Sequence, residues 1–442
     1  MGHNKHEIPS LGFCRIDSPL IDSLPVDDAE KIFMKEDDKI LLNIRCAADE
    51  REDKCADPSV LSLERSGPRE KIFFDPKKTK AAIVTCGGIC PGLNDVIRSI
   101  TMTLFYRYGV TEILGIRNGY QGLVKRSGLE PMKLDVDIVD HINHTGGTIL
   151  GTSRGEQDAD EMLDFIVENK INQLFVIGGD GTMRGAIKIA EAAEKRKIEL
   201  SVAGIPKTVD NDILYIDRSF GFITASSMAG DVVETAHNEA KSQNNGVGLV
   251  KLMGRNSGFI ACLAALASGN ANFVLIPEVP FDLEGEKGFL RVLEERLKRR
   301  HHAVVLVAEG AGQEHISSTG KEEKDASGNI KFKDIGVFLR DRINDHFRSR
   351  NIEINLKYID PSYIVRAIGT SPIDSIYCYS LGKNAVHAAM SGKTKLVVGM
   401  VHNEFVHIPM SLITRGRRKV DHKGELWFSV LECTGQPAEF RN

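Results

Sequence analysis

The sequence predicts an α/β protein with mostly parallel β-sheets covered by helices on both faces. From residue 80 onward, short runs rich in β-branched apolar residues are each followed by a turn, and helical stretches lie between most of the runs. Such alternation is typical of parallel sheets, because each parallel pair of strands needs a crossover connection. We therefore expect ligands to bind at the carboxyl ends of the strands.

Eight apolar runs predict the strands of these sheets. They lie at residues 80–86, 111–116, 173–177, 201–205, 246–252, 272–276, 302–308 and 395–401. After the first run, apolar residues recur at helical spacing from Val96 to Leu104, which predicts a helix over residues 95–106. Asn94 is expected to cap this helix, since an asparagine side chain can accept a backbone N–H there.

Two regions interrupt the pattern. Residues 1–78 are rich in charged residues, Pro and Ser, and they predict an amino-terminal extension with short strands within residues 10–21 and 38–46. Residues 314–333 are polar and contain several glycines, which indicates a surface insertion.

The composition argues against several classes of function. The 442 residues allow two or three domains, and they are 42% hydrophobic and 27% charged with a net charge of −4, so nothing favours nucleic acid or a membrane surface as a partner. No apolar run approaches the roughly 20 residues of a membrane span. The amino-terminal MGHNKHEIPS has no apolar signal core, and a cytoplasmic location is expected.

The eight cysteines are dispersed, and no two of them have CxxC spacing. This spacing gives no support to a zinc or redox motif, and free thiols in a reducing compartment are expected. Two basic runs, at residues 297–302 and 414–419, are interpreted as solvated surface, although the second could bind an anionic effector.

Three glycine-rich motifs are typical of phosphate-binding loops, since glycine lets backbone N–H groups approach an oxyanion. They are VTCGGICPGLN at residues 84–94, GGTILGTSRGEQ at 146–157 and VIGGDGTMRG at 176–185. For the first of them, an ordinary glycine turn between a strand and a helix is an equal alternative. Arg154 in the second motif could bind a phosphate or pair with Glu156 on the surface. Asp180 in the third could hold Mg²⁺, which needs only one or two carboxylates, or cap the next helix.

The motif IPKTVDND, at residues 205–212, places two carboxylates directly after a predicted strand. Asp210 or Asp212 could accept the proton of a substrate hydroxyl while the other lies near a metal ion. A turn without function is the alternative, because Asp and Asn are common in turns.

Three further segments carry polar residues after predicted strands. Arg255 follows a strand in VKLMGRNSGF and could bind an anion, and Glu309 ends a strand in VAEGAG and suits sugar hydroxyls. Lys357, Tyr363 and Arg366 form a cluster that suits a sugar phosphate. Each of these is ambiguous alone, since a single arginine usually lies on the surface.

Taken in order, these motifs resemble the phosphofructokinases, and most closely the long ATP-dependent enzymes of protists and plants. The resemblance covers roughly residues 80–400. It implies two Rossmann-like three-layer α/β/α domains with the active site in the cleft between them, and a homotetramer. The implied nucleotide-binding domain is 79–221, completed by about 365–415, and the sugar-phosphate-binding domain is 222–364, completed by about 416–442.

The resemblance implies transfer of the γ-phosphoryl group of ATP to the 1-hydroxyl of fructose 6-phosphate, a step of glycolysis, with Mg²⁺ as cofactor. Asp210 resembles the general base, Arg154 and Arg255 the transition-state stabilisers, and Asp180 and Asp212 the Mg²⁺-linked carboxylates, with Asp212 also part of the catalytic set. The nucleotide positions are Gly88, Tyr120, Arg154, Gly179, Asp180, Gly181, Thr182 and Lys207. The sugar-phosphate positions are Thr208, Asp210, Met253, Gly254, Arg255, Glu309, Lys357, Tyr363 and Arg366.

The chain departs from the short bacterial pattern at three positions. Gly246 stands where short members carry an arginine that reaches the neighbouring subunit's site, and Lys357 and Tyr363 replace an arginine and a histidine. The donor signal is mixed as well. Lys207 resembles the pyrophosphate users, whereas Gly181 resembles the ATP users. An aspartate at 181 would repel the α-phosphate of ATP by roughly 4 kcal/mol at about 4 Å and an effective dielectric constant near 20, so we favour ATP.

Three alternatives remain at this point. One is a pyrophosphate-dependent fructose 6-phosphate 1-phosphotransferase. Another is a non-catalytic regulatory subunit that only binds sugar phosphate, which the presence of Asp180, Asp210, Asp212 and Arg255 opposes. The third is a NAD kinase or lipid kinase, whose resemblance ends after GGDGT.

Overall fold

The structure, a computed structural model, describes residues 7–23, 32–44, 62–316 and 331–442. The chain divides into two compact units, each discontinuous in sequence. Unit 1 contains the described residues of Met1–Thr208, Ile213–Phe220 and Gly369–Gly416, and unit 2 contains those of Val209–Asp212, Gly221–Ile368 and Arg417–Asn442. No helix in the described ranges is both long enough and apolar enough to cross a membrane.

The strands are short to medium in length and are numbered along the chain. They are β1 (Ile16–Asp17), β2 (Lys39–Leu41), β3 (Ser62–Arg65), β4 (Lys71–Ile72), β5 (Lys80–Thr85), β6 (Glu112–Ile116), β7 (Met132–Lys133), β8 (Gln173–Gly178), β9 (Ser201–Pro206), β10 (Gly246–Leu252), β11 (Phe273–Leu275), β12 (His302–Ala308), β13 (Asn355–Ile359), β14 (Leu396–Val401) and β15 (Glu404–Pro409).

The α-helices are numbered in the same way. They are α1 (Leu93–Tyr108), α2 (Ala159–Glu168), α3 (Asp180–Lys195), α4 (Phe222–Lys241), α5 (Phe259–Ser268), α6 (Phe289–Arg300), α7 (Ile335–Ser349), α8 (Ser362–Ala367), α9 (Pro372–Met390), α10 (Met410–Ile413) and α11 (Glu425–Thr434).

Unit 1 is built on a mixed sheet of nine described strands in the order β2-β3-β15-β14-β9-β8-β5-β6-β7. Its centre, β14-β9-β8-β5-β6, is parallel, and β7 and β15 join the two sides of this centre antiparallel. Beyond β15, β3 and β2 follow, each antiparallel to its neighbour. Both faces are buried: Ala82 and Val84 of β5 pack in one apolar cluster with residues of α2 and α3, while the alternate Ala81 and Ile83 are buried on the other face. This explains why the central strands are apolar throughout.

Unit 2 contains a parallel sheet of four described strands in the order β11-β12-β10-β13. One face packs against α6 and α7 through a cluster that includes Leu249, Val305, Phe289 and Phe347. On α4 and α5, which contact β10 and β12, the apolar residues Val233 and Ile260 are fully buried. The predicted fold class, α/β with mostly parallel sheets, is confirmed.

All eight predicted strands are present, within one or two residues at each end, as β5, β6, β8, β9, β10, β11, β12 and β14. The predicted helix is α1, but the cap prediction is wrong. The cap is Gly92, and Asn94 lies inside the first turn, where its side chain is bonded to residues 145 and 149. β1 and β2 fall within the two predicted segments of the extension. Most of the predicted surface insertion, residues 317–330, lies outside the described residues, as do Cys46 and Cys55.

The extension is joined to unit 1 through β3 and a buried ion cluster. Glu64 of β3 lies 2.7 Å from Arg69, 3.3 Å from Lys393 and 3.3 Å from His407. Hydrogen bonding and charge from these partners outweigh the effect of burial and hold the pKa of the Glu64 carboxyl far below its usual range. The cluster therefore keeps Glu64 ionised and attaches β3 to β15 of the sheet.

A second buried histidine predicts sensitivity to acid. His387 on α9 lies 2.7 Å from the Tyr108 hydroxyl, and burial, together with nearby cations, lowers its pKa from 6.5 to about 3. Below pH 6.5 the unfolded chain therefore binds a proton that the folded chain does not bind. The free energy of unfolding should then fall by up to about 1.4 kcal/mol for each unit that the pH is lowered, from this site alone.

The variant His387→Asn removes the titrating group. It should flatten the pH dependence of the free energy of unfolding, measured by urea unfolding at pH 7 and pH 5, whereas His422→Asn, at an exposed site, should not. Equal slopes in both variants would contradict the assignment.

Candidate active site

In unit 1 the first and third glycine-rich motifs and the IPKTVDND motif begin at neighbouring strand ends. β5, β8 and β9 are parallel neighbours, so the loops after Thr85, Gly178 and Pro206 leave the same edge of the sheet. Two backbone hydrogen bonds hold the loops together where they start: the Cys86 N–H donates to the Ile177 carbonyl (2.9 Å) and the Lys207 N–H donates to the Gly178 carbonyl (2.9 Å). Loops that start more than 100 residues apart, after Thr85 and after Pro206, thus leave the same edge of the sheet.

The loop that carries Arg154 packs against the first glycine motif. The Gly87 N–H donates to the Ser153 carbonyl at 3.0 Å, and the Thr152 hydroxyl donates to the Gly87 carbonyl at 2.6 Å. A Cβ atom added at Gly88 would lie 3.4 Å from Arg154 Nη2, so the guanidinium lies directly beside this glycine. Asn94 stabilises the arrangement by donating to the Thr145 carbonyl and accepting the Ile149 N–H.

The GGDGT motif forms the amino end of α3. Gly179 is the cap residue, and Asp180, Gly181 and Thr182 form the first turn, where backbone N–H groups and the helix dipole favour an anion. Gly181 is exposed, and a Cβ added there would have no neighbour nearer than 3.9 Å. Tyr120 is buried, and its hydroxyl donates to the Thr182 carbonyl at 2.7 Å, so this side chain supports the turn from within.

Lys207 places a cation beside the same loops. The residue is 7% exposed, and a Cβ added at Gly87 would lie 3.7 Å from its Nζ. Burial raises the pKa of the neighbouring Cys86 thiol to about 12, and the Lys207 charge opposes that rise. The six described cysteines are free thiols, as the sequence predicts. Backbone N–H groups, a helix end, Lys207 and Arg154 are groups of the kinds that can bind phosphate.

In unit 2 the DND loop contacts the loop that follows β10. Asp210 Oδ2 accepts the Arg255 N–H at 3.3 Å, and the Asp210 carbonyl accepts the Ser257 hydroxyl at 3.0 Å. The turn through Met253 and Gly254 depends on glycine, because Gly254 has φ 126° and a Cβ there would lie 2.5 Å from the Ser257 carbonyl oxygen. This turn presents the Arg255 backbone to the carboxylate.

Two other carboxylates influence the Asp210 carboxyl. Burial raises the pKa of the Asp210 carboxyl to about 7, and the charges of Asp212 and Glu309 add to the rise. Burial also raises the pKa of Glu309, while the Arg255 charge opposes that rise. Glu309 follows β12, and its N–H donates to the Leu252 carbonyl at 2.9 Å, so it lies beside the Met253 turn. A carboxyl with a pKa near 7 is well matched to proton transfer in neutral solution.

Asp212 is held by a residue that the sequence analysis did not assign. Its side chain is 4% exposed, and Oδ2 lies 2.6 Å from Arg417 Nη1. The Arg418 N–H also donates to the Asp212 carbonyl at 2.8 Å. The basic run at residues 414–419, interpreted as solvated surface, therefore includes a cation that neutralises a buried carboxylate.

The sugar-phosphate candidates of α8 lie near Glu309. The Arg366 guanidinium stacks over the exposed Tyr363 ring at 4.6 Å, and its charge weakly opposes the burial that raises the pKa of Glu309. Arg366 Nε is buried and has no hydrogen-bond partner among the described residues. Lys251 of β10 organises the start of α8, because its Nζ lies 2.8 Å from both Asp334 and Asp360, and Asp360 accepts the Ser362 N–H.

Two candidates lie apart from these groups. Lys357 is exposed and pairs with Gly248 in the sheet, five residues before Met253, which at 3.3 Å per residue corresponds to about 16 Å along the strand. Thr208 belongs to unit 1, where its carbonyl accepts the Ser219 hydroxyl. Their roles stay predictions from the resemblance.

Sequence reasoning missed four residues that support the unit 2 site: Lys251, Glu278, Phe332 and Arg417. The Arg255 guanidinium stacks over Phe332 at 4.6 Å. Only Lys251 carries a signal in the sequence, as a lysine within an apolar run. The others lie in segments without periodicity, and folding alone brings them to the site.

Comparisons with known proteins identify the family of the chain. A profile of the family described as "Phosphofructokinase" matches residues 80–389. A Borreliella burgdorferi protein named "ATP-dependent 6-phosphofructokinase" is 49% identical, over 99% of this chain and 98% of that protein. "ATP-dependent 6-phosphofructokinase 1" of Arabidopsis thaliana is 45% identical, over 95% of this chain and 87% of that protein. A solved "Pyrophosphate-dependent phosphofructokinase" from Marinobacter aquaeolei is 23% identical with a TM-score of 0.66, over 78% of this chain and 86% of that one, and this likeness bears on the fold alone. The family profile covers residues 80–389, and the two relatives are 49% and 45% identical over nearly the whole chain. The chain therefore belongs to the phosphofructokinase family.

Proposed function

We propose that the chain is an ATP-dependent 6-phosphofructokinase that transfers the γ-phosphoryl group of ATP to the 1-hydroxyl of fructose 6-phosphate, a step of glycolysis. The observation that carries this proposal is the Asp210 carboxyl, held by the Arg255 N–H beside Asp212 and Glu309 and with a pKa of about 7. A group so placed can accept a hydroxyl proton in neutral solution. The high identity to relatives named as ATP-dependent enzymes supports the same reaction.

In the proposed step the 1-hydroxyl oxygen of the sugar bonds to the γ-phosphorus, and the bond to the β–γ bridging oxygen of ATP breaks. The hydroxyl proton passes to Asp210, and ADP leaves. Arg255 in unit 2 and Arg154 in unit 1 are proposed to stabilise the charge that spreads over the transferring phosphoryl group. Glu309 is proposed to accept sugar hydroxyls, and Arg366 with Tyr363 to bind the 6-phosphate. The buried Nε of Arg366 supports that role, since an anion would satisfy it.

The nucleotide phosphates are proposed to bind the unit 1 loops. Gly88, Gly179 and the first turn of α3 supply backbone N–H groups, and Lys207 and Arg154 supply positive charge. Asp180 and Asp212 are proposed to hold Mg²⁺. No group of three or more His, Cys, Asp or Glu side chains in the described ranges could hold a metal, yet Mg²⁺ commonly uses one or two carboxylates together with substrate phosphates.

A divalent cation held by Asp180 and Asp212 would also reduce the repulsion between the Asp212 and Asp210 carboxylates. When bound, Mg²⁺ supplies positive charge to the phosphate oxygens. The exposed Gly181 supports ATP as the donor, because a side chain at that position would extend from the helix end where the phosphates are proposed to bind.

The resemblance also supports a cytoplasmic homotetramer. Sedimentation equilibrium would test the subunit number, and cell fractionation would test the location, since some relatives are named as chloroplastic.

The central test of the proposed function is incubation of the purified protein with fructose 6-phosphate, Mg²⁺ and either ATP or pyrophosphate, followed by measurement of fructose 1,6-bisphosphate. Turnover with pyrophosphate alone would overturn the donor assignment, and no turnover with either would favour a binding subunit.

Asp210→Ser should lower kcat by about 10²–10⁴-fold with little change in nucleotide affinity, because it removes the proton acceptor and leaves the unit 1 loops intact. Steady-state kinetics and nucleotide titration would measure the two effects. Asp137→Ser, at an exposed site, serves as the matched control. A rate for Asp210→Ser within tenfold of the wild type would remove Asp210 from the role of base.

Gly181→Asp should lower kcat/KM with ATP at least tenfold more than with pyrophosphate, because the added charge would face the α-phosphate, which pyrophosphate lacks. Gly181→Ala is the control for size and backbone freedom, and it should have a small effect since a Cβ fits there. Equal losses with both donors would contradict the charge argument.

A further inference from the structure

Residues 417–420, here called the return segment, lie against the loops of unit 2 that carry the proposed proton transfer. Arg417 Nη1 lies 2.6 Å from Asp212 Oδ2, and the Arg418 N–H donates to the Asp212 carbonyl at 2.8 Å. The Arg418 guanidinium stacks over Phe259, the first residue of α5, at 4.9 Å. The return segment therefore contacts the DND loop through both side chain and backbone.

Glu278 attaches the other end of the return segment. Its Oε1 accepts the Val420 N–H at 2.8 Å and the Gly258 N–H at 3.1 Å. Gly258 ends the loop that contains Arg255 and Ser257, and both of those residues donate to Asp210. One carboxyl oxygen thus joins the return segment to the loop that holds the proposed base.

We propose that Arg417 is a positioning residue for the phosphoryl transfer. It fixes the Asp212 carboxylate, and with Glu278 it keeps the DND loop in register with the loop that holds Arg255. This inference rests on the proposed function, because it assigns Arg417 a part in that reaction.

The burial of Asp212 distinguishes the Arg417–Asp212 ion pair from an ordinary surface ion pair. The Asp212 side chain is 4% exposed, whereas that of Arg417 is 34% exposed. Exposed pairs contribute little, but loss of the partner of a buried carboxylate leaves a charge that water does not solvate well. The carboxylate would then rotate towards solvent or find another donor, and either movement would displace its neighbour Asp210.

The test compares Arg417→Ala with Arg417→Lys and with Arg415→Ala. Arg415 is an exposed arginine two residues away, and its side chain makes no hydrogen bond or ion pair with the described residues. Arg417→Ala should lower kcat about tenfold or more while the KM values for ATP and fructose 6-phosphate stay within about threefold, because both substrates still bind. Arg417→Lys should recover part of kcat, and Arg415→Ala should match the wild type.

Chemical rescue separates positioning from loss of structure. Guanidinium chloride at a sub-denaturing concentration should raise kcat of Arg417→Ala and leave kcat of Arg415→Ala unchanged, since the added cation can occupy the vacated place beside Asp212. A kcat of Arg417→Ala within twofold of the wild type would overturn the proposal. So would a lowered kcat that neither lysine nor guanidinium raises.

Substitutions of Glu278 test the same proposal independently of Arg417. Both of its hydrogen bonds use Oε1, and Oε2 is buried without a hydrogen-bond partner among the described residues, so Glu278→Gln should retain kcat. Glu278→Ala releases the return segment and should lower kcat with the same small effect on KM. Equal kcat values for Glu278→Gln and Glu278→Ala would overturn the role given to the return segment.

The same assay separates this inference from the proposed function. If the wild-type protein makes no fructose 1,6-bisphosphate, the proposed function fails. If the wild-type protein makes it and the variants have the same kcat, only the role of Arg417 and the return segment fails.

Discussion

The structure depends on one geometric constraint: parallel neighbouring strands end at the same edge of a sheet. In unit 1 this brings together the loops after β5, β8 and β9, and in unit 2 the loops after β10 and β12. Backbone hydrogen bonds at the point where each loop starts, such as that from Lys207 to Gly178, fix the loops before any side chain contributes. Polar residues far apart in sequence thereby become neighbours, while the apolar strands beneath them supply the stability.

A second theme is how the fold tolerates like charges at partly or fully buried positions. Asp210, Asp212 and Glu309 repel one another, and the repulsion together with burial moves the Asp210 pKa towards neutrality. Arg417 and Arg255 limit the effect, since each favours the ionised form of a neighbouring carboxyl. The result is one carboxyl that can exchange a proton beside another that stays paired. Lys251 likewise forms ion pairs with both Asp334 and Asp360, and so reduces the repulsion between these two carboxylates.

The sequence was sufficient for the elements whose signal is local. Buried parallel strands are continuous apolar runs, so all eight predicted strands exist. The antiparallel β15 was not predicted, because Glu404–Pro409 mixes polar and apolar residues and its partner β14 lies just before it. Asn94 was misplaced because its side chain serves the loop of residues 145–149 in preference to its own helix. Arg417 could not be assigned from sequence, since a cation 205 residues from Asp212 carries no local sign of its partner.

The discontinuity of unit 2 has a consequence for how the chain acquires its structure during synthesis. Residues 417–442 supply α11, the Phe440 ring that packs on Phe289, and Gln436, whose side chain accepts the N–H of Val274 in β11. A nascent chain that still lacks these residues also lacks the Phe440 ring that packs on Phe273 and Phe289. We therefore expect the incomplete apolar core of such a chain to be a target for chaperones.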